Sequence, residues 1–169
     1  MTPGDGDVFA EGLVPLPKNL RPFNVLEDEN GNRVQPNVLK GKMVGVYFSA
    51  GWCPPCQHFS PTLSKWAKER SKDIVIVFVS LDKSEQQMSK FTAGKGFLRM
   101  PFTLASERAQ AAHEYQVQAI PTLVIVNGDT GAIVTTWGRS AVTKNPAGCV
   151  EEWRAGRSGV TWLQFLKPW

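Results

Sequence analysis

The chain has 169 residues, which is the size of one compact domain. Hydrophobic residues make up 42% and charged residues 20%, a composition typical of globular rather than disordered proteins. The net charge is only +4 with Lys and Arg scattered along the chain, so no nucleic-acid partner is expected. No apolar run approaches the length of a membrane span, and residues 1–12 lack the apolar core of a secretory signal, so no membrane association is expected either.

The first third of the chain contains turn signals followed by strand signals. Residues 1–20 are rich in Gly, Pro and Asp and predict a poorly ordered lead-in. Residues 24–35 predict a β-hairpin, because short apolar stretches flank a tight-turn signal at Asn30 and Gly31. Residues 44–49 and 74–80 are almost entirely apolar, as in strands that helices cover on both faces of a sheet.

Helical signals lie between and after these strands. Phe59, Leu63 and Trp66 repeat at helical spacing, and Ser84 with Gln87 predicts a capping box that opens a second helix. The remaining segments predict a helix over 106–115, a hairpin formed by 123–126 and 133–137, and a last helix that begins at Asn145 and runs through Trp153.

The predicted order of elements indicates an α/β fold. A strand–helix–strand unit requires a parallel pair with a right-handed crossover, and the closing hairpin adds antiparallel strands. The expected architecture is a central mixed β-sheet with helices on both faces and an N-terminal β-hairpin extension. We expect this domain to span residues 21–157 and an apolar tail, residues 158–169, to pack on the domain or on a partner.

Two cysteines stand where a strand gives way to a helix, in the sequence Trp52-Cys53-Pro54-Pro55-Cys56. A helix N-terminus stabilises a thiolate, and cysteines so placed have pKa values lowered from about 8.5 to roughly 3.5–7.5. The spacing puts both sulfurs on one helix face. Cys53, outside the helix, is therefore the predicted nucleophile, and Cys56, one turn in, the predicted resolving thiol. The two prolines stiffen the loop and remove hydrogen-bond donors.

Other uses of these cysteines are less well supported by the sequence. A zinc site would need two more ligands, and only Cys149, His58 and His113 are left, none of them in a second short-spaced pair. We therefore expect no metal. Cys149 is interpreted as a bystander thiol and His58 as a surface residue. An odd number of cysteines in a chain of this size favours a reducing, cytoplasmic setting.

The residues 49–56, Pro61 and the run 119–123 together resemble the thioredoxin superfamily. The Trp-Cys-Pro-Pro-Cys form, residues 129–136, and the stretch from Gly138-Arg139 to Asn145-Pro146 are similar to its tryparedoxin and nucleoredoxin branch. The resemblance covers about residues 36–153. It implies a thioredoxin fold and thiol–disulfide exchange by a redox-active Cys53–Cys56 pair.

The resemblance also implies substrate-binding roles for residues around the cysteines. Pro121 would be a cis-proline that faces the cysteine pair, and Ile120 would offer backbone groups to an incoming peptide. Trp52 would form an apolar lip beside the nucleophile, next to the two prolines, Pro54 and Pro55. Arg139 would help to bind an anionic or thiol co-substrate.

One position departs from the wider superfamily. Many thioredoxins carry a buried Asp six residues before the first cysteine, where this chain has Tyr47, which is neutral until about pH 10. The acceptor for the proton of Cys56 is therefore open, with Asp82 and water as candidates.

The predicted function is reduction of protein disulfides. The sequence shows no Gly-rich dinucleotide loop, so no bound flavin or nicotinamide is expected. Electrons would come from a separate reductase or a low-molecular-weight dithiol, and the protein is expected to be a monomer. The reduction potential of the cysteine pair decides between a reductase and an oxidase or isomerase, and a difference of tens of millivolts is enough. A second hypothesis is an interaction module that holds a dedicated partner through the cis-proline groove or the C-terminal tail.

Overall fold

A computed structural model describes residues 15–166 of the chain. Its centre is a seven-stranded mixed sheet with the strand order β2-β1-β5-β4-β3-β6-β7. The pairs β3–β4 and β4–β5 are parallel, and the other pairs are antiparallel. The strands are β1 Leu26–Glu27, β2 Arg33–Val34, β3 Met43–Ser49, β4 Ile74–Ser80, β5 Leu98–Arg99, β6 Thr122–Asn127 and β7 Ile133–Thr135.

The two central strands form because their residues are apolar and mostly β-branched or aromatic. All seven residues of β3 are buried, and β4 is buried at six of its seven positions. The parallel register places Val46 opposite Val77 and Ser49 opposite Ser80. Both predicted strands are confirmed, with β3 beginning one residue earlier than expected.

Helices cover both faces of the sheet, as the sequence predicted. On one face lies a core cluster with residues from α1, α2, α4 and α5, and on the other a cluster with α3 and an N-terminal 3₁₀ helix, Lys18–Phe23. A second 3₁₀ helix spans Pro36–Leu39. The α-helices are α1 Pro54–Lys68, α2 Glu85–Thr92, α3 Ala105–Glu114, α4 Gly138–Lys144, α5 Cys149–Arg154 and α6 Trp162–Phe165.

The N-terminal hairpin is confirmed and extends the sheet through β5. Gly31 adopts a φ of +83° in the turn, and the Asp28 side chain accepts hydrogen bonds from the backbone of Asn30 and Asn32. Ser84 caps α2 as predicted, accepting from the Gln87 backbone N–H at 3.2 Å. These local signals succeed because each hydrogen bond joins residues close in sequence.

Other boundaries differ from the predictions. The last predicted helix begins at Cys149 with Gly148 at its N-cap, because the Asn145 side chain donates to the Gly159 carbonyl instead of capping the helix. The short α4 and the two-residue β5 were not predicted. Trp137 lies at the N-cap of α4 rather than in the hairpin strand.

The ends of the described chain are partly packed. Leu16 and Leu20 are buried in the core on the α3 side, so the expected poorly ordered lead-in is wrong for residues 15–20, and residues 1–14 lie outside the described residues. Val160 in the tail is buried on the domain itself, whereas Trp162 and Leu166 are exposed. Within the described residues, no helix combines the length and apolar character needed to cross a membrane.

A buried arginine joins the N-terminal hairpin to the sheet. The Arg99 side chain is 3% exposed, and its Nε donates to Glu27 Oε1 at 2.7 Å. Its Nη1 also donates to the hydroxyls of Thr92 and Ser89. The pair therefore ties β1, β5 and α2 together.

We expect Arg99→Ala to lower the free energy of unfolding by about 3–5 kcal/mol, because it leaves the Glu27 carboxylate without its buried partner. Urea denaturation of both proteins measures this loss. The matched control is Arg154→Ala, which removes exposed ion pairs with Asp73 and Glu151 and should have a much smaller effect. Equal losses in the two variants would contradict a special stabilising role for the buried Arg99–Glu27 pair.

Candidate active site

The cysteine pair lies where β3 ends and α1 begins. The chain leaves the sheet at Ser49, and Cys53 occupies the N-cap of α1 with an extended backbone. Its N–H donates to the Ala50 carbonyl at 3.3 Å, and its carbonyl accepts from the Gln57 N–H at 3.0 Å. Prolines fill the first helical positions, where a missing N–H costs no helix hydrogen bond.

The two thiols differ in access to solvent. Cys53 is 5% exposed, and Cys56 is completely buried. Both are thiols in this structure, and the Cys53 sulfur lies 3.9 Å from the Ile120 carbonyl oxygen. Cys53 is therefore the only sulfur of the pair that an incoming disulfide could reach.

The surroundings of Cys56 favour its neutral form. Burial and the hydrogen bond with Cys53 raise the pKa of the Cys56 thiol to about 11, although the Ser49 hydroxyl and the Ala50 backbone act in the opposite direction. A buried thiol of this kind stays protonated at neutral pH and reacts only when it is ionised. Cys56 is thus suited to a step that follows attack by Cys53.

Hydrogen bonds to Asp82 hold the loop that precedes Cys53. One carboxylate oxygen accepts from the Gly51 N–H at 2.7 Å, and the other accepts from the Ser80 hydroxyl at 2.8 Å. The Trp52 indole N–H donates to the Leu81 carbonyl at 3.0 Å. Both oxygens of Asp82, which the sequence offered as a proton acceptor for Cys56, are therefore engaged in shaping this loop.

The face around Cys53 is apolar and accessible. The peptide bond between Ile120 and Pro121 is cis, as the resemblance implied. The Trp52 side chain, next to Cys53 in the chain, is 51% exposed, and Pro54 and Pro55 are exposed at the start of α1. Ile120 is half-buried and presents its carbonyl toward Cys53. The structure therefore brings these five predicted residues together around Cys53, and their roles in binding substrate stay predictions.

Arg139 reaches the active-site helix from α4. Gly138 lets this helix start against β6, because a Cβ there would lie 2.6 Å from the Leu123 carbonyl oxygen. The Arg139 guanidinium then stands 5.7 Å from the centre of the Phe59 ring, one turn beyond Cys56 on α1. The structure thus places this positive charge beside the active-site helix, while its contact with a co-substrate stays a prediction.

Tyr47 lies on β3, in the core between the sheet and α1. Its ring is fully buried and makes edge contacts with Phe59, Phe78 and Phe97 at centroid distances of 5.8–6.0 Å. Its hydroxyl pairs with the Ser60 hydroxyl at 2.7 Å. Burial raises the pKa of Tyr47 to about 12, so it cannot serve as the base for Cys56 at neutral pH.

A groove of about 480 Å³ opens on the α2 side of Trp52. Its apolar floor includes Phe91, and lysines lie along it, with the Lys95 ammonium 4.9 Å from the Phe91 ring centre. Sequence reasoning did not find this groove, because its walls come from separate elements. The lining residues are Gly51, Trp52, Gln57, Gln87, Lys90, Phe91 and Lys95.

The remaining cysteine and the histidines lie apart from this arrangement. Cys149 is completely buried, and burial raises the pKa of its thiol to about 11. His58 and His113 are exposed. The described residues contain no group of three or more Cys, His, Asp or Glu side chains that could hold a metal ion.

Two polar residues near the cysteines have surroundings that the sequence did not reveal, since it offered Asp82 only as a proton acceptor and did not single out Ser49. Asp82 holds the loop, and Ser49, with a completely buried hydroxyl, ends the central strand. The one available signal for Ser49 was a polar residue that closes a run of six apolar or glycine residues. That signal could not show which face of the sheet the hydroxyl occupies or what lies above it.

Comparisons with known proteins show the family to which the chain belongs. A family model described as thioredoxin-like matches residues 41–133, more than half of the chain. Tryparedoxin from Trypanosoma brucei brucei is 36% identical over 117 residues, which cover 68% of this chain and 81% of that protein. Nucleoredoxin from Mus musculus is 35% identical over 67% of this chain, but the match spans only 26% of that protein.

Solved structures give the same result. Tryparedoxin II complexed with glutathionylspermidine has a TM-score of 0.72 and 30% identity, over 77% of this chain and 94% of that one. Tryparedoxin I from Crithidia fasciculata has a TM-score of 0.71 and 34% identity, over 78% of this chain and 92% of that one. The thioredoxin fold predicted from the sequence is confirmed.

We expect iodoacetamide to modify only Cys53 in the native, reduced protein at pH 8. With pKa values of about 11, Cys56 and Cys149 are ionised to only about one part in a thousand at this pH. Peptide mapping by mass spectrometry identifies the modified residue, and the denatured protein, in which all three cysteines should react, is the control. Rapid native modification of Cys149 would contradict this environment.

Proposed function

Because the chain belongs to the thioredoxin-like family, within its tryparedoxin and nucleoredoxin branch, we propose that it reduces protein disulfides by dithiol–disulfide exchange. The family establishes a thiol oxidoreductase. The observation that carries the more specific proposal is the unequal exposure of the two thiols, since Cys53 keeps 5% of its surface exposed and Cys56 is completely buried.

In the proposed reaction the Cys53 thiolate attacks one sulfur of the target disulfide. A mixed disulfide forms between Cys53 and the target, and the other target sulfur leaves as a thiolate. Cys56 then loses its proton and attacks the Cys53 sulfur. The Cys53–Cys56 disulfide forms, the second target sulfur leaves, and two electrons have passed to the target, whose thiolates take up the protons.

We infer that the substrate is an extended protein segment rather than a buried disulfide. The half-buried Ile120 carbonyl and the exposed faces of Trp52 and the two prolines surround the Cys53 sulfur. An extended segment could pair with the backbone at Ile120, as one more strand does at a sheet edge, while Trp52 contacts its side chains. This arrangement supports a low sequence selectivity, because backbone pairing is common to all peptides.

The oxidised pair must be reduced again after each turnover. One similar structure is a tryparedoxin II complexed with glutathionylspermidine, and we propose that a low-molecular-weight thiol or a separate reductase supplies the electrons here. Arg139, half-buried beside Phe59, is the proposed contact for an anionic donor. We further propose that the protein acts as a monomer in the cytoplasm without a bound flavin or nicotinamide.

A second candidate is an interaction module with a dedicated partner. The observation that favours it is the end of the described chain, where Trp162, Leu163 and Leu166 are exposed next to the buried Val160. Exposed apolar residues that cluster in this way often mark contact surfaces. The two candidates differ in whether the effect of the protein depends on Cys53.

We expect the wild-type protein to accelerate the reduction of insulin by dithiothreitol, and Cys53→Ser to abolish the acceleration because no nucleophile is left. Cys56→Ser should instead accumulate a mixed disulfide with insulin. The turbidity of precipitating insulin chains and non-reducing gels measure these outcomes. Cys149→Ser is the matched control and should retain full activity, since its thiol is buried away from the site.

A redox titration of the same samples separates a reductase from an oxidase. An inert wild-type protein whose cysteine pair still cycles would contradict general protein-disulfide reduction. A Cys53→Ser variant that keeps the full effect of the protein in cells would favour the interaction module.

We expect Arg139→Ala to raise the KM for reduced glutathione, an anionic thiol, about threefold to tenfold, because it removes one partly exposed charge contact. The KM for dithiothreitol, which is uncharged, should not change. Steady-state kinetics with each donor measure the difference. The control is Lys65→Ala, which removes an exposed cation in the last turn of α1. A parallel rise in both KM values would mean that Arg139 only supports the fold.

A further inference from the structure

Ser49 places an unpaired hydroxyl under the active-site helix. The side chain is completely buried, and within the described part of the chain its Oγ makes no hydrogen bond. Buried hydroxyls are nearly always paired, since an unpaired one loses its hydrogen bonds to water without compensation. The unpaired hydroxyl therefore lowers the stability of the reduced protein, and a role in the reaction would explain why it is present.

The surroundings of Ser49 are set by strand and helix geometry. Ser49 and Tyr47 are two residues apart on β3, so their side chains share one face of the sheet. Tyr47 belongs to the core cluster on the α1 face, which also contains Cys56. The Ser49 hydroxyl lies beside both neighbours, since a hydrogen bond from it to the ionised form lowers the pKa of the Cys56 thiol and of the Tyr47 hydroxyl.

Few groups could stabilise a charge on Cys56 here. The groups that lower the pKa of its thiol are the Ser49 hydroxyl and the Ala50 backbone, and Cys53 acts in the opposite direction. The Tyr47 hydroxyl is paired with Ser60, and the carboxylate of Asp82 is paired with Gly51 and Ser80. The Ser49 O–H is thus the side-chain donor next to Cys56 that has no other partner among the described residues.

We propose that the Ser49 hydroxyl donates a hydrogen bond to the Cys56 thiolate during the resolving step. This inference rests on the proposed function. As Cys56 loses its proton, the Ser49 O–H turns toward the sulfur, and the thiolate becomes the hydrogen-bond acceptor that the hydroxyl lacked. Ser49 keeps its own proton throughout, and the proton released by Cys56 ends on the departing target thiolate. The interaction exists only with the charged sulfur, so it speeds resolution without strengthening the reduced ground state.

The two halves of the exchange can be timed separately with dithiobis-nitrobenzoate at equimolar concentration. Attack by Cys53 releases one equivalent of coloured thiolate, and attack by Cys56 on the mixed disulfide releases the second. We expect Ser49→Ala to leave the first phase unchanged and to slow the second about 10- to 100-fold at neutral pH, the effect of losing one charge-assisted hydrogen bond.

Two further variants separate this role from a structural one. Ser49→Thr keeps the hydroxyl and should retain a second phase faster than that of Ser49→Ala. Ser64→Ala removes another buried serine hydroxyl, on α1, which donates to the Lys95 carbonyl, and should leave both phases unchanged. Because Ser49→Ala removes an unpaired hydroxyl, its melting temperature should not fall.

Equal second-phase rates in the wild type, Ser49→Ala and Ser49→Thr would overturn the proposal, as would slowing of both phases together with a lower melting temperature. A wild-type protein that releases only one equivalent would contradict the proposed function itself and this inference with it. If the wild type releases both equivalents but the second-phase rates of the three proteins are equal, the role of Ser49 is contradicted and the proposed function is not.

Discussion

The active site depends on the parallel pairing of β3 with β4. A parallel neighbour cannot be reached by a tight turn, so the chain must leave the carboxyl end of β3 and return across the sheet as a helix. That helix is α1, and its first turn therefore stands at the end of a strand that is buried on both faces. The same crossover places Cys53 at the N-terminus of α1 and buries Cys56 in a core that excludes water.

This position explains why two chemically identical side chains have different environments. Cys53 precedes the first helical residue and keeps a small exposed surface, whereas Cys56 is one turn into the helix and belongs to the same core cluster as Tyr47 and Phe59. Burial favours the neutral thiol, which keeps Cys56 protonated at neutral pH. In the proposed exchange, the order of the two attacks would therefore follow depth in the fold rather than residue type.

The surface around Cys53 is assembled from three parts of the chain. Asp82, just after β4, fixes the loop that carries Trp52, while the cis-proline segment before β6 brings Ile120 to the sulfur. Arg139 arrives from α4, whose close approach to β6 depends on Gly138. Because these parts are anchored to β4 and β6, the two strands that flank β3, the sheet holds the groups in fixed relative positions.

The sequence by itself determined the central strands, the hairpins, the motif with its helix and the family, since each depends on local periodicity or on residues adjacent in the chain. Helix α4, strand β5 and the start of α5 were missed or misplaced, because these short elements are stabilised by packing and by distant partners such as the contact of Asn145 with Gly159. The tertiary structure alone decided that Cys56 is dry, that Asp82 is occupied in holding a loop, and that Ser49 keeps an unpaired hydroxyl beneath the helix. Solvation and pairing of a side chain depend on neighbours brought together by folding, and no spacing along the chain records them.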